Sequence, residues 1–255
     1  MQEAILTGII ANIICFLIPA LLALAVWGFR RGKILIEAKR FFGMDLDARI
    51  FVYVSTHQEP TTQTQKVITA EEFKAAVDLN NMLITQFQRT GWLRDLLDAA
   101  ARLSDYDLKP PDVVIQLSPS EVRELYGSEK SLILVGGPVR NKLAEAYLAK
   151  GNPWLDFDRT KEKFVIRRGP SAGEELDPSG QMAIVNRMRV DDKLVFVAFG
   201  FGEIQTRSAV YYLAHNWQAL YHEFKEKEFG VCLLIGKDNQ SQVKMKLTDD
   251  VRVIT

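Results

Sequence analysis

Leu132-Ile-Leu-Val-Gly136-Gly137-Pro138-Val-Arg140-Asn141 is the stretch from which the fold is read. A short, unbroken apolar run bounded by turn residues reads as a strand buried on both faces. The two glycines permit a sharp turn and a close backbone approach, and Pro138 suits a first helical turn, where its missing N–H is not needed. Leu143, Ala146 and Tyr147 then recur at helical spacing up to Gly151. Strand, glycine turn and helix in succession form the repeating unit of a parallel sheet.

Toward the N-terminus the same alternation continues. Val113–Leu117 follows Pro110 and Pro111 as a second strand candidate, and Ile50–Val54 is another buried apolar run. Thr69-Ala-Glu-Glu72 has the spacing of a capping box and predicts a helix to about Arg89. Leu93, Leu96, Leu97 and Ala100 predict a helix over Gly91–Leu103, and Glu121–Tyr126 a short one. Toward the C-terminus, Trp154–Phe157, Phe164–Ile166, Met182–Met188 and Leu194–Ala198 read as strands of an antiparallel extension. A long helix is expected from Glu203 to about Phe229, then a strand at Val231–Ile235 and a hairpin of Val243–Leu247 with Val251–Ile254.

The glycine turns resemble those of Rossmann-like folds in general. The expected class is α/β: an N-terminal transmembrane helix, then a Rossmann-like mixed, mostly parallel sheet with helices on both faces and an antiparallel extension. No period of 20–50 residues marks a repeat architecture.

The transmembrane expectation rests on Ala4–Phe29, 26 residues without a charge. About 20 helical residues cross a hydrocarbon core. The chain opens Met1-Gln2-Glu3 and leaves the apolar segment at Arg30-Arg31, so it lacks the basic n-region of a cleaved signal and reads as an uncleaved anchor. Arg30, Arg31, Lys33, Lys39 and Arg40 follow the segment and only Glu3 precedes it. The positive-inside rule then sets the N-terminus outside and the C-terminal bulk in the cytoplasm of a single-pass cell-membrane protein. The expected divisions are 1–30 signal-anchor, 31–43 basic juxtamembrane stalk and 44–255 cytoplasmic domain. Gly8-x-x-x-Asn12 offers a small residue and an amide for helix pairing, so a homo-oligomer through the span is one expected partner beside the lipid bilayer.

Composition narrows the function classes. Of 255 residues, 47% are hydrophobic and 25% charged, which excludes a disordered tail. Lys and Arg number 32, as do Asp and Glu, so the basic excess of a general nucleic-acid binder is missing. Two cysteines, Cys15 and Cys232, cannot form a disulfide scaffold and read as buried, reduced thiols.

Two strand-to-helix turns are candidate ligand sites. Gly136, Gly137, Arg140 and Asn141 form the first; Gly200, Gly202, Thr206 and Arg207 form the second, in Phe199-Gly-Phe-Gly202-Glu-Ile-Gln205. A helix start offers free N–H groups and the positive end of its dipole to an anion. The second turn fails the dinucleotide fingerprint at its third glycine, where Gln205 stands. Either pair also reads as a plain tight turn. If the strands ending at Val54, Val135 and Phe199 are parallel, their loops converge on one crevice.

In the polar stretch Ser55–Ile68, His57 and Glu59 are weak candidates for acid and base groups. Arg167–Pro178 is a second long loop. His222-Glu-Phe-Lys-Glu226 lacks the final histidine of a zinc-protease helix, and no metal site is expected. Three functions stay open: a membrane-anchored sensor binding a small anionic ligand such as a nucleotide, a membrane-tethered nucleosidase or glycosyl-group hydrolase or transferase, and a non-catalytic scaffold for a cytoplasmic partner.

Overall fold

The structure, a computed structural model, describes residues 2–43, 50–55, 57–58, 66–87, 113–117, 130–158, 160–161, 163–167, 172–176, 181–236 and 241–247. Helix α1 (Gln2–Phe42) leads to β1 (Ile50–Val54), the short strands β2 (His57–Gln58) and β3 (Lys66–Val67), α2 (Ala70–Phe87), β4 (Val113–Leu117) and β5 (Ser131–Val135). Helix α3 (Lys142–Gly151) precedes β6 (Leu155–Asp158), β7 (Lys163–Ile166) and β8 (Glu175–Leu176). Then follow β9 (Met182–Val190), β10 (Lys193–Gly200), α4 (Glu203–Phe224), β11 (Phe229–Ile235) and β12 (Ser241–Leu247). The helices expected at 91–103 and 121–126 lie outside the described residues.

The main sheet has seven strands in the order β12-β11-β9-β10-β5-β1-β4. Strands β10, β5, β1 and β4 are parallel neighbours, whereas β9, β11 and β12 join by antiparallel pairing. The expected class therefore holds in its coarse form, a mixed, mostly parallel α/β sheet. One detail differs: Leu194–Ala198 belongs to the fourth parallel strand, paired with β5, as well as to the antiparallel pair with β9. Its unbroken apolar run fits this inner place, because Val195 through Phe199 are all buried. Strands β6, β7 and β8 form a separate antiparallel sheet.

Two apolar layers sandwich the main sheet. On one face α2, α4 and the last turn of α1 pack through Leu79, Leu83, Val210, Trp217, Phe41 and Phe42. On the other, α3 and the small sheet pack through Leu143, Tyr147, Phe164 and Leu176. Helices thus cover both faces, as an inner parallel strand requires.

Three local expectations change. The end of the expected stalk is part of the domain core: Ala38, Phe41 and Phe42 are at most 1% exposed. Its apolar side chains reach the sheet because α1 runs on unbroken to Phe42. Helix α4 stops at Phe224, with Lys225 turning at φ 55° and donating its N–H to the Tyr221 carbonyl at 2.7 Å. Phe229 is thereby freed to begin β11. Strand β12 pairs with β11, and 251–254, its expected hairpin partner, lie outside the described residues. Ser55–Ile68 contains the β2–β3 pairing, His57 opposite Val67.

Helix α1 is 41 residues long, about 60 Å at 1.5 Å per residue. Leu17, Ile18, Leu21, Leu22, Trp27 and Phe29 stand exposed along it. Among the described residues, no helix is long and apolar enough to cross a membrane. The described side chains of the apolar segment begin at Leu17.

Candidate functional site

Strands β1, β5 and β10 end in register: Val54 lies beside Val135, and Val135 beside Ala198. Two further bonds extend this edge, from the Ser55 N–H to the Val135 carbonyl and from the Gly136 N–H to the Ala198 carbonyl, each 3.0 Å. The parallel arrangement needed for one shared crevice is present. Chain order supplies a second reason for a crevice there. From β1 the chain moves outward to β4 and then returns to β5 on the other side, a reversal at which open α/β sheets leave space beyond their carboxyl ends.

A cavity of about 350 Å³ lies at this edge. The turn after β5 contributes Gly137, Pro138 and Arg140, and the turn after β10 contributes Gly200, Phe201, Gly202, Glu203 and Thr206. Phe157, Lys161 and Phe164 enter from the small sheet, Phe199 from β10 and Glu72 from α2. Cavities of this size suit small ligands.

The expected site residues separate into two groups. Gly137, Arg140, Gly200, Gly202 and Thr206 line the cavity together. Gly136 lies beneath it at φ +100°, where an added Cβ would come 2.6 Å from Ser55 Oγ. Asn141 is fully buried and holds α3 to β5: its Oδ1 accepts the Ala144 N–H, and its Nδ2 donates to the Val135 carbonyl, each at 3.0 Å. That is the work of an N-cap. Arg207 points to α2 instead, with Nη1 2.8 Å from Glu71 Oε2 and Nη2 3.9 Å from Asp78 Oδ2. Lys74 and then Arg207 hold the Glu71 carboxyl below its ordinary pKa. Of the acid and base candidates, the side chain of His57 and all of Glu59 lie outside the described residues.

Residues that pattern reading passed over complete the site. Four phenylalanine rings, Phe157, Phe164, Phe199 and Phe201, form its apolar wall, with Phe164 tilted 4.9 Å from Phe199 and 6.0 Å from Phe201. Phe199 and Phe201 flank Gly200 and were legible as a pair; their partners come from another sheet. Lys161 stands at the rim in exposed pairs with Glu175 and Asp158 at 3.5 and 3.9 Å. Arg140 and Glu203 face each other across the two turns at 3.7 Å. Exposed pairs of this kind contribute little stability, so either cation can turn toward a ligand.

Glu72 is the exception in this wet rim. The Thr69 hydroxyl accepts the Glu72 backbone N–H at 3.2 Å, the first half of the expected capping box. Glu72 lines the cavity, only 3% of the residue is exposed, and among the described residues its Oε2 has no hydrogen-bond partner. In the same cavity, α4 opens at Gly202 with no side-chain cap bond, and the Gly200 N–H is held by Thr206 Oγ1 at 3.1 Å. An uncapped helix start beside Arg140 and Lys161 favours an anion, and the phenylalanine rings favour a flat apolar group. Compared with known proteins, the chain matches no family model, no curated protein and no solved structure.

Proposed function

We propose that this chain is a membrane-anchored sensor whose α/β domain binds a small ligand carrying both an anionic and a planar group, a nucleotide in the first instance. The observation that carries the reading is the composition of one cavity. Aromatic walls, two exposed cations and an uncapped helix start meet beyond the ends of parallel strands. Phosphate suits the side of Arg140, Lys161 and α4, and a nucleobase suits the phenylalanines. The anchor is supported by the charge-free run Ala4–Phe29, by the exposed apolar side chains of α1 and by the basic residues that follow. Because α1 continues without a break into the core at Phe41 and Phe42, ligand binding would be felt by the helix that enters the lipid.

The test is calorimetric titration of the 255-residue chain, in mild detergent, with AMP, GMP, UMP and CMP. One saturable site is expected, weakened at least about tenfold when Arg140 and Lys161 are both changed to Ala, since each charge-assisted bond contributes about 1.5–3 kcal/mol. Absence of binding by all four at millimolar concentration would end the nucleotide reading. Retention of the chain in alkali-washed membranes tests the anchor, and release into the wash would remove it. A membrane-tethered glycosyl hydrolase or transferase is the second reading, favoured by a carboxyl group, Glu72, within the same cavity. Free base appearing during the titrations would select it.

A further inference from the structure

We infer that Glu72 receives a hydrogen-bond donor of the ligand, a sugar hydroxyl or a base amino group, so that the ligand lies with its donor end toward α2 and its anionic end at the rim. This rests on the reading of the cavity as a nucleotide site and assigns the residue that selects among nucleotides.

The argument begins with an unmet requirement. A buried polar atom without a partner costs free energy, and nearly all such atoms in folded proteins are satisfied. Glu72 Oε2 is buried and has none among the described residues. Helix capping does not use this atom, because the Thr69–Glu72 bond runs through the backbone N–H. Nearby, Ser55 Oγ is likewise buried and, among the described residues, unpartnered. Both groups border Gly136: a Cβ built there would lie 2.6 Å from Ser55 Oγ and 3.3 Å from Glu72 Oε1. Glycine keeps this space clear.

The charges give the polarity of the ligand. A carboxyl group repels phosphate and accepts from hydroxyl or amino groups, so the phosphate belongs with the cations of the cavity, Arg140 and Lys161, and the uncapped start of α4. Arg140 and Lys161 are at least half exposed in their side chains, whereas Glu72 is sealed from bulk water. The discriminating contact is therefore the inner one, where an unpaired group is most costly.

The experiment compares the unaltered chain with Glu72→Gln. Each is titrated with AMP, GMP, UMP and CMP, their 2′-deoxy and 3′-deoxy counterparts, and IMP. If a sugar hydroxyl meets Glu72, the unaltered chain binds ribonucleotides about 10- to 100-fold more tightly than one deoxy series, and Glu72→Gln erases most of that ratio. If the amino group meets it, the same ratio separates AMP from IMP and is erased in the same way. Equal loss for every nucleotide, or no change for any, overturns the inference while leaving the nucleotide reading intact. No binding to the unaltered chain removes both.

A ligand-free measurement stands beside it. Glu72→Gln and Glu72→Leu should melt at or above the unaltered chain, by up to about 2–4 °C, because an unsatisfied buried carboxyl group is lost. A drop of several degrees in both would mark Glu72 as a structural residue and overturn the inference.

Discussion

Arg187 Nε donates to the carbonyl oxygen of Phe41 at 3.2 Å, which ties the last turn of α1 to the central antiparallel strand. The same guanidinium donates through Nη1 to the carbonyls of Lys227 and Lys225, at 2.6 and 3.5 Å, and through Nη2 to that of Arg40 at 3.5 Å. The carbonyl ends of α1 and α4 thus meet on one fully buried cation. Helix ends leave such carbonyls unpaired, and their dipoles favour positive charge. The rings of Phe41 and Phe196 lie 5.5 and 5.8 Å from the guanidinium carbon. Burial, and then Arg189, pull the Arg187 pKa down to about 10, while Glu226 and Glu228 oppose the shift.

Replacing Arg187 with Met keeps bulk but strands these carbonyls. The expected cost is about 3–5 kcal/mol, because several buried carbonyls lose a charge-assisted donor together, each such bond contributing about 1.5–3 kcal/mol. Arg187→Lys should fall between, since an ammonium cannot span the fork of acceptors. Urea denaturation of both variants measures this. If Arg187→Met is as stable as the unaltered chain, the guanidinium is not the joint between α1 and the sheet.

Gly136 fixes the turn at the end of β5. At φ +100° an L side chain is strained, and its Cβ would also strike Ser55 at 2.6–2.7 Å. Gly136→Ala should cost about 2–4 kcal/mol from the two effects together. Adding Ser55→Gly removes the collision but not the dihedral strain, so the double variant should recover part of the loss in thermal melting. Full recovery would show that the dihedral contributes nothing.

How far these features were legible depends on the range of the interaction that makes them. Ile50–Val54, Val113–Leu117 and the strand before Gly136 match the observed strands to within one residue, because each is a continuous apolar run closed by turn residues. The capping signal at Thr69 marked the start of α2 for the same local reason. Asn141 serves as the N-cap of α3, and an N-cap and a phosphate-binding amide look alike when only spacing is known. Phe157, Lys161 and Glu72 were out of reach. They come to the cavity from the β6–β7 hairpin and from α2, and no local pattern announces a contact across a sheet edge.

Cys232 gives a pH test of the core. Burial raises its thiol from 9.0 to about 12, the nearby Lys244 opposing only in part. Between those values the unfolded chain loses the proton and the folded chain keeps it. The stabilisation is therefore complete below pH 9 and is lost as pH rises toward 12, by at most about 1.4 kcal/mol per pH unit. Arg187, depressed by its own burial, acts in the opposite direction above about pH 10, so the clean window is pH 9–10. Stability measured there should fall with pH in the unaltered chain and stay flatter in Cys232→Ala. A thiol reagent at pH 8 should modify Cys232 in a Cys15→Ser background only as fast as the domain opens.

Gly200 and Gly202 are two residues apart yet answer to different demands. A Cβ on Gly200 would come 2.2 Å from Gln205 Cβ and within 2.9 Å of its backbone, so this glycine lets α4 pack against the end of β10. Gly200→Ala should destabilise by about 1–3 kcal/mol. At Gly202 the backbone is extended, φ −150°, and a Cβ would meet only the movable Oε1 of Gln205. Gly202→Asp supplies a side-chain cap and should leave stability unchanged or raise it by a few tenths of a kcal/mol, up to about 1. The same carboxylate would occupy the anion position at the start of α4. AMP affinity should therefore drop at least about tenfold in a chain that melts no lower than before. Melting curves and titrations on this single variant separate folding from binding, and undiminished affinity would mean that phosphate does not sit at α4.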